Sequence, residues 1–528
     1  MIALPTRRLE PLLAPIVAAA VAVAAVVIGW RGVDLAASVY RVGLFHRSGF
    51  TLWDSQWYGG HWTLSYSVIF PPVAGIIGVH ATEVLSAGAA AWAFDRLVVG
   101  HFGPTARVGS IMFALATLVQ VAVGQLPFLL GEALALGALW AATRGRWQLA
   151  GFFAVVASLA SPLAAAFLLL AVLAWVLASR PRLRLPHIGL VAGPVVVVVA
   201  VGVLFPGQGV MPFPALDLFT LLIGGFTLLL LVPSRERALR IGVVLYLAAA
   251  VASFVLRTPM GGNISRLGQC FAAPLVACVV WPHRSRLLTS RLLTSRLLVV
   301  ALVPLVVWQW SPAIGTFTRD RSDPSVQAAY FAPLLGFLEH HADPLGRVEI
   351  VPTRLHWEAA YVAPSVPLAR GWERQLDTVD NPLFYTEGAL NPVSYQAWLL
   401  NNGVRYVALP DVTLDYAGTG EGQLINAGVP GLRPVWQDNH WRVFDVLGAS
   451  GIVEPPGRLV HLDGGQVDLQ ADSPGTIIVR VRYSPRWTLV QGSGCVQQAT
   501  NGWTAVDANQ AGPLRLELRL LSGTRAEC

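Results

Sequence analysis

The sequence predicts a polytopic α-helical membrane protein of about eleven spans, continued by an extracytoplasmic α/β module and a small β-sandwich. Three observations carry this reading. The chain is 54% hydrophobic over 528 residues with a mean hydropathy of +0.57, far more apolar than a soluble domain. Its charge is split, with 21 arginines and 8 acids in residues 1–300 (net +13) but 16 arginines and 22 acids in residues 301–528 (net −6). The pattern also changes, from long apolar runs to the short alternations of strands.

Apolar runs predict spans near 11–30, 79–99, 108–124, 126–143, 148–163, 164–178, 187–204, 216–232, 241–256, 268–281 and 296–312. The first is not expected to be a cleaved signal peptide, because no small-residue cleavage site precedes the next polar stretch. With the N-terminus inside, fifteen arginines fall in cytoplasmic segments, among them Arg7, Arg8, Arg107, Arg144, Arg237 and Arg284. Five fall in outer loops: Arg31, Arg41, Arg47, Arg257 and Arg266. This bias predicts a multi-pass plasma-membrane protein with a cytoplasmic N-terminus. The basic half then answers to an anionic membrane surface, not to nucleic acid. The Arg-Leu-Leu-Thr-Ser repeat at 286–295 reads as a basic linker. Lysine is absent while Ala, Val, Leu, Gly and Arg dominate, the composition of a GC-rich genome of the actinobacterial kind.

An odd number of spans places residues 313–528 outside. Segments 347–351 and 404–409 alternate like strands, and 394–401 before Asn402-Gly403 reads as a helix with a glycine stop. From 448 onward only short strands are expected, at 466–470, 476–483, 487–491 and 514–521. The expected domains are 1–312, with a first outer loop at 31–78, then 313–447 and 448–528. Cys270 and Cys278 lie in an apolar span, whereas Cys495 and Cys528 fall in the polar tail, where export would let them pair.

Ionisable residues in or beside spans are expensive and point to function. Here they fall at outer ends: Asp54 and His61 in the first loop, Glu83, Glu132, Asp217 and Arg266 at span termini. Together they are expected to line one outward-facing cavity. Each has a plainer reading. Asp54 could cap a helix beginning near Ser55, His61 could bond a loop carbonyl, Glu83 and Glu132 could join helices, and Asp217 could be an ordinary first-turn acid. Arg266, in the glycine-bearing stretch from Gly261 through Asn263 to Gly268, suits a phosphate, since the guanidinium fork matches phosphate oxygens. Its plain reading is a headgroup-level anchor. Trp57 and Tyr58 belong to an aromatic-rich loop that serves equally as an interfacial belt or as a platform for a sugar ring. No P-loop, HExxH or GxSxG signature in plausible context appears.

An acid in the first outer loop, a Pro-rich juxtamembrane segment (Val68-Ile-Phe-Pro-Pro72) and a C-terminal exported domain resemble the GT-C superfamily of membrane glycosyltransferases. The segment Leu52 to His61, the Asn263-Ile-Ser-Arg-Leu267 loop and Ala369 to Gln375 look, more narrowly, like a group of actinobacterial integral membrane proteins. The resemblance implies a polyprenyl-phosphate sugar donor, a cell-envelope glycan or glycolipid acceptor, and inversion at the anomeric carbon. It implies Asp54 as general base, with Arg266 and Asn263 at the phosphate and His61, Glu83, Glu132, Trp57 and Tyr58 around the substrates. Trp372, Glu373, Arg374 and Asp377 would select the acceptor, or else form a folded lid held by Arg–Glu pairs. The superfamily's acid often occurs as Asp-x-Asp or Glu-x-Asp; here Leu52-Trp53 precede Asp54, which argues against a divalent metal, and no cofactor is expected. Two other classes fit part of the pattern. A transporter or flippase of lipid-linked glycan would also place charge in a cavity, though no inverted repeat is seen. A non-enzymatic envelope assembly factor would need no acids in its anchor.

Overall fold

A computed structural model describes residues 10–179, 185–206, 209–280, 292–320, 322–341 and 346–519. Arg7, Arg8, Arg284, Cys528 and most of the 286–295 repeat lie outside the described residues. The chain is mostly helical up to Asp320 and β-rich beyond Arg347. It forms two compact units, one of Met1–Ser38 with Leu64–Arg321, the other of Val39–Thr63 with Ser322–Cys528.

In the first unit, helices occupy each of the eleven apolar stretches, from Leu13–Ile28 to Leu292–Asp320. Among the described residues, five helices are long and apolar enough to cross a membrane: Glu10–Ile28, Pro104–Val123, Leu126–Thr143, Pro162–Ser179 and Arg237–Val255. A sixth candidate is the pair Phe70–Ile77 and Val79–Phe102, bent by 110°. An apolar run need not form a helix of full length: Trp147–Ala160 has 14 residues, a rise of roughly 21 Å against a hydrocarbon core of about 30 Å. The helices meet through small residues. Ala14, Ala18, Ala22 and Ala25 form a buried stripe in the same core as Ala87, Ala90 and Ala91, so two backbones approach closely without relying on a hydrophobic effect that lipid would not supply.

In the second unit, the first hairpin pairs β1 (Trp53–Asp54) with β2 (His61–Trp62). The α/β module has strand order β3-β4-β6-β5, with β3 (Arg347–Ile350) parallel to β4 (Val404–Pro410). β5 (Leu432–Gln437) and β6 (Trp441–Val446) complete it in antiparallel fashion. The helix Pro392–Asn401 between the parallel strands starts at Asn391, whose side chain closes a capping box with Ser394.

Two antiparallel sheets follow. β7 (Gly457–Asp463), β8 (Gln466–Ala471), β10 (Trp487–Gln491) and β13 (Gly512–Leu518) form one, in the order β10-β13-β8-β7. β9 (Gly475–Arg482), β11 (Gly494–Gln498) and β12 (Trp503–Ala508) form the other. Their shared core of Ile452, Val467, Leu469, Ile477 and Val479 also takes in Trp53 of the hairpin. Cys495 on β11 is disulfide-bonded, whereas Cys270 and Cys278 are free thiols.

Candidate functional site

Residues 31–78, read as a loop, contain the helix Val33–Ser48, the β1–β2 hairpin and the helix Phe70–Ile77. The hairpin is fixed by backbone bonds inside the second unit. Leu368 N donates to Gln56 O at 2.8 Å, and Arg482 N donates to Gly59 O at 2.8 Å. Its turn needs left-handed backbone at Tyr58, Gly59 and Gly60. At Gly59 a side chain would also strike the Trp503 ring, so the backbone must lie bare there.

The register pairs Asp54 with His61. Asp54 is 0% exposed. Its Oδ2 accepts from Tyr40 Oη at 2.8 Å and its Oδ1 from Gln56 N at 3.0 Å. That second bond is a local turn two residues long; no helix begins at Ser55 for Asp54 to cap. Burial pushes the Asp54 carboxyl above its usual range, against the Gln56 and Tyr40 hydrogen bonds and the charges of Arg41 and Arg47. Tyr40 stacks on Trp57 at 4.3 Å, and Trp57 stacks on His61 at 5.4 Å. Burial and the Arg41 charge hold His61 down at about 3, so its imidazole is neutral.

Glu373 closes the cluster. Arg41 donates to the Glu373 carboxylate and, at 2.7 Å, to Thr63 O. His61 Nε2 lies 4.0 Å from Glu373 Oε1, and Tyr58 Oη donates to the Glu373 carbonyl at 3.0 Å. Burial pushes the Glu373 carboxyl up, more than Arg41 pulls it down, and the Asp54 charge adds to the rise. The site therefore holds two desolvated carboxyls, one guanidinium and one neutral imidazole. Asp54 can accept a proton, and a raised pKa makes it a stronger base than a carboxylate in water.

Of the nine candidates, Asp54, Trp57, Tyr58 and His61 come together here. The other five lie in the first unit. Arg266 Nη2 donates to Asp34 Oδ2 at 3.3 Å and its guanidinium sits over the Phe128 ring at 5.8 Å. Asn263, half-buried in the turn Gly261–Ile264, is held by its own N–H to Met260 O at 2.9 Å. Glu132 is buried and accepts from Gln120 Nε2 at 2.6 Å; Gln120 also reaches Cys270 Sγ at 3.3 Å. Glu83 is buried within 3.3 Å of His80 Nδ1. Asp217 is an exposed first-turn residue of the helix Ala215–Leu231.

Tyr40, Arg41, Asp34 and Gln120 carried no site signal in the sequence. Of the residues read as acceptor-selecting or lid-forming, Glu373 and Asp377 are buried in ion pairs with Arg41 and Arg370. Among the described residues, no group of three or more His, Cys, Asp or Glu could hold a metal ion. No protein-family model matches this chain, and no curated protein matches it.

Proposed function

We propose that the chain is a membrane glycosyltransferase of the GT-C kind. In this reading it has about eleven spans, a cytoplasmic N-terminus and extracytoplasmic C-terminal modules. It moves a sugar from a polyprenyl-phosphate donor to an envelope glycan or glycolipid with inversion. One observation carries this: a wholly buried carboxyl with a raised pKa, Asp54, beside a neutral imidazole and a buried guanidinium, in a chain whose other half is a bundle of apolar helices. Asp54 takes the acceptor hydroxyl's proton as the new bond to the anomeric carbon forms and the bond to the donor phosphate breaks. Arg266 binds the phosphate and stabilises the charge it carries away.

The test is transfer from polyprenyl-phosphate sugars by purified protein. Asp54→Asn is expected to keep donor binding and lose about 10²–10⁴-fold in turnover. Arg266→Ala is expected to weaken donor binding as well. An Asp54→Asn variant with full transferase activity removes Asp54 from the chemistry. Wild-type protein that transfers no sugar but moves lipid-linked glycan across liposomes is a flippase. A second reading, the non-enzymatic assembly factor, is favoured by the fact that both Asp54 oxygens already have protein donors. It predicts that Asp54→Asn changes stability and nothing else.

A further inference from the structure

The α/β module holds a second cluster of buried charge that the proposed reaction does not use. Arg370 is surrounded by three carboxylates. It donates to both Asp377 oxygens, at 3.0 Å from Nε and 2.6 Å from Nη2, and to Glu421 Oε2 at 3.1 Å from Nη1. The same Nη1 lies 3.9 Å from Glu349 Oε1. Asp377 is committed as an anion, since Tyr385 Oη and Asn381 Nδ2 also donate to it, and it stays below the usual range despite burial. Tyr395 Oη donates to Glu421 Oε1 at 2.7 Å. Glu349, on β3, and Glu421, on the helix Tyr416–Ala427, are both 0% exposed. Among the described residues no donor reaches either oxygen of Glu349. Arg370, Asp377 and Tyr395 are the charged and titratable groups that face this pair.

One guanidinium cannot neutralise three buried carboxylates, and a surplus buried anion is not tolerated when a proton can remove it. We propose that Glu349 and Glu421 hold one proton between them, and that this proton is a pH-sensitive latch on the segment Arg370-Gly371-Trp372-Glu373. The shared proton supplies the donor that Glu349 lacks. Burial pushes both carboxyls above their usual range, and the Glu421 charge pushes Glu349 further.

The latch reaches the first hairpin through the chain itself. Gly371 follows Arg370 and lies so close to Trp57 that a Cβ would come within 2.6 Å of the indole. Two residues on, Glu373 pairs with Arg41. Loss of the proton sets two carboxylates in competition for Arg370 Nη1 and loosens the segment that meets Trp57 and Arg41. Arg370 and the carboxyl pair are positioning residues here, and their role holds whether or not the chain transfers sugar.

In purified full-length protein, the melting temperature of this unit is expected to fall by about 3 °C per pH unit as pH rises through neutrality. Its infrared spectrum should show a protonated carboxylic acid whose band is lost as pH is raised. Glu421→Gln and Glu349→Gln should each abolish that band and flatten that part of the melting profile. Tyr395→Phe, which removes a donor to the ionised form, should move the titration to higher pH. His356 titrates separately in the same module, so His356→Asn should leave the band in place. A band that survives both glutamine variants, or no band at all, overturns the proposal. Should neither glutamine variant fold, an unchanged titration in Tyr395→Phe overturns it instead.

Discussion

At Asp54 two donors of different reach are combined, one local and one not. Gln56 is two residues away, so its hydrogen bond comes with the turn; Tyr40 comes from a helix fourteen residues earlier. Tyr40→Phe leaves Oδ2 of a buried carboxylate without its partner, at a cost of about 1–3 kcal/mol. The same change removes a donor that favours the ionised form, so the raised Asp54 pKa moves higher still. A base must be deprotonated to act. If Asp54 is the base, the acid limb of the rate–pH profile should therefore shift to higher pH in Tyr40→Phe, and an unshifted limb would mean that Asp54 does not titrate in the reaction.

The Arg41–Glu373 pair follows similar logic with larger numbers. Both members are buried, so Glu373→Ala strands a cation and should cost about 3–5 kcal/mol. The double change Arg41→Met with Glu373→Leu should recover most of that loss in a thermal melt. Trp57, Tyr58 and His61 were legible because they share one short stretch with Asp54. Glu373 lies 332 residues from Arg41, and no spacing rule connects them.

At the scale of elements, the segment after β3 is set by two tight points. Gly371 has no room for a Cβ against Trp57. Gly371→Ala is expected to lower stability by about 1–3 kcal/mol, whereas Gly420→Ala, on an exposed helical face, should be neutral or slightly stabilising. Equal melting temperatures for the two would show that the segment can move aside. His356 sits nearby in left-handed backbone, with Glu358 3.3 Å from one ring nitrogen and Asp415 3.5 Å from the other. Burial opposes its charge, but Asp415 and Glu358 outweigh it and raise its pKa to about 9.

A folded pKa above the unfolded value of about 6.5 means that the stabilisation is complete below that pH and disappears as pH rises through about 9. His356→Asn should therefore melt well below wild type near about pH 6 and close to it above about pH 9; a gap that does not narrow with pH would contradict the ion-pair account. The elements were unevenly legible for similar local reasons. β8 buries alternate residues and β4 is buried almost throughout as a short run rich in Val, Tyr and Leu, so both read clearly. β5 carries Pro434 at a sheet edge and is mostly exposed, and β7 is another exposed edge, so neither shows a strand period. The helix Val33–Ser48 mixes Asp34, Arg41, His46 and Arg47 with apolar residues, which hid it inside an apparent loop.

For the whole molecule, composition carried the division into an apolar helical half and a β-rich tail, but not the number of spans. That number depends on helix length, and a hydropathy window smooths over helix ends such as those capped at Gly29, Gly103 and Gly124. Orientation depends on charge. Among the described arginines, Arg107, Arg144, Arg146, Arg237 and Arg240 cluster at one set of helix ends or connections, and Arg31, Arg257 and Arg266 at the alternate set. By the positive-inside rule the larger set is expected inside. Chain alternation through the intervening helices would then put the β-rich tail outside, which is the orientation proposed. Single introduced cysteines test this in intact cells with a membrane-impermeant thiol reagent. Gly420→Cys and Arg237→Cys are suitable because both positions are exposed. The expected result is labelling at Gly420→Cys and none at Arg237→Cys until the membrane is permeabilised. The reverse pattern would turn the molecule over, and an outward-facing acceptor reaction at Asp54 could not stand. Labelling at both in sealed cells would mean that an odd number of the intervening helices fails to cross.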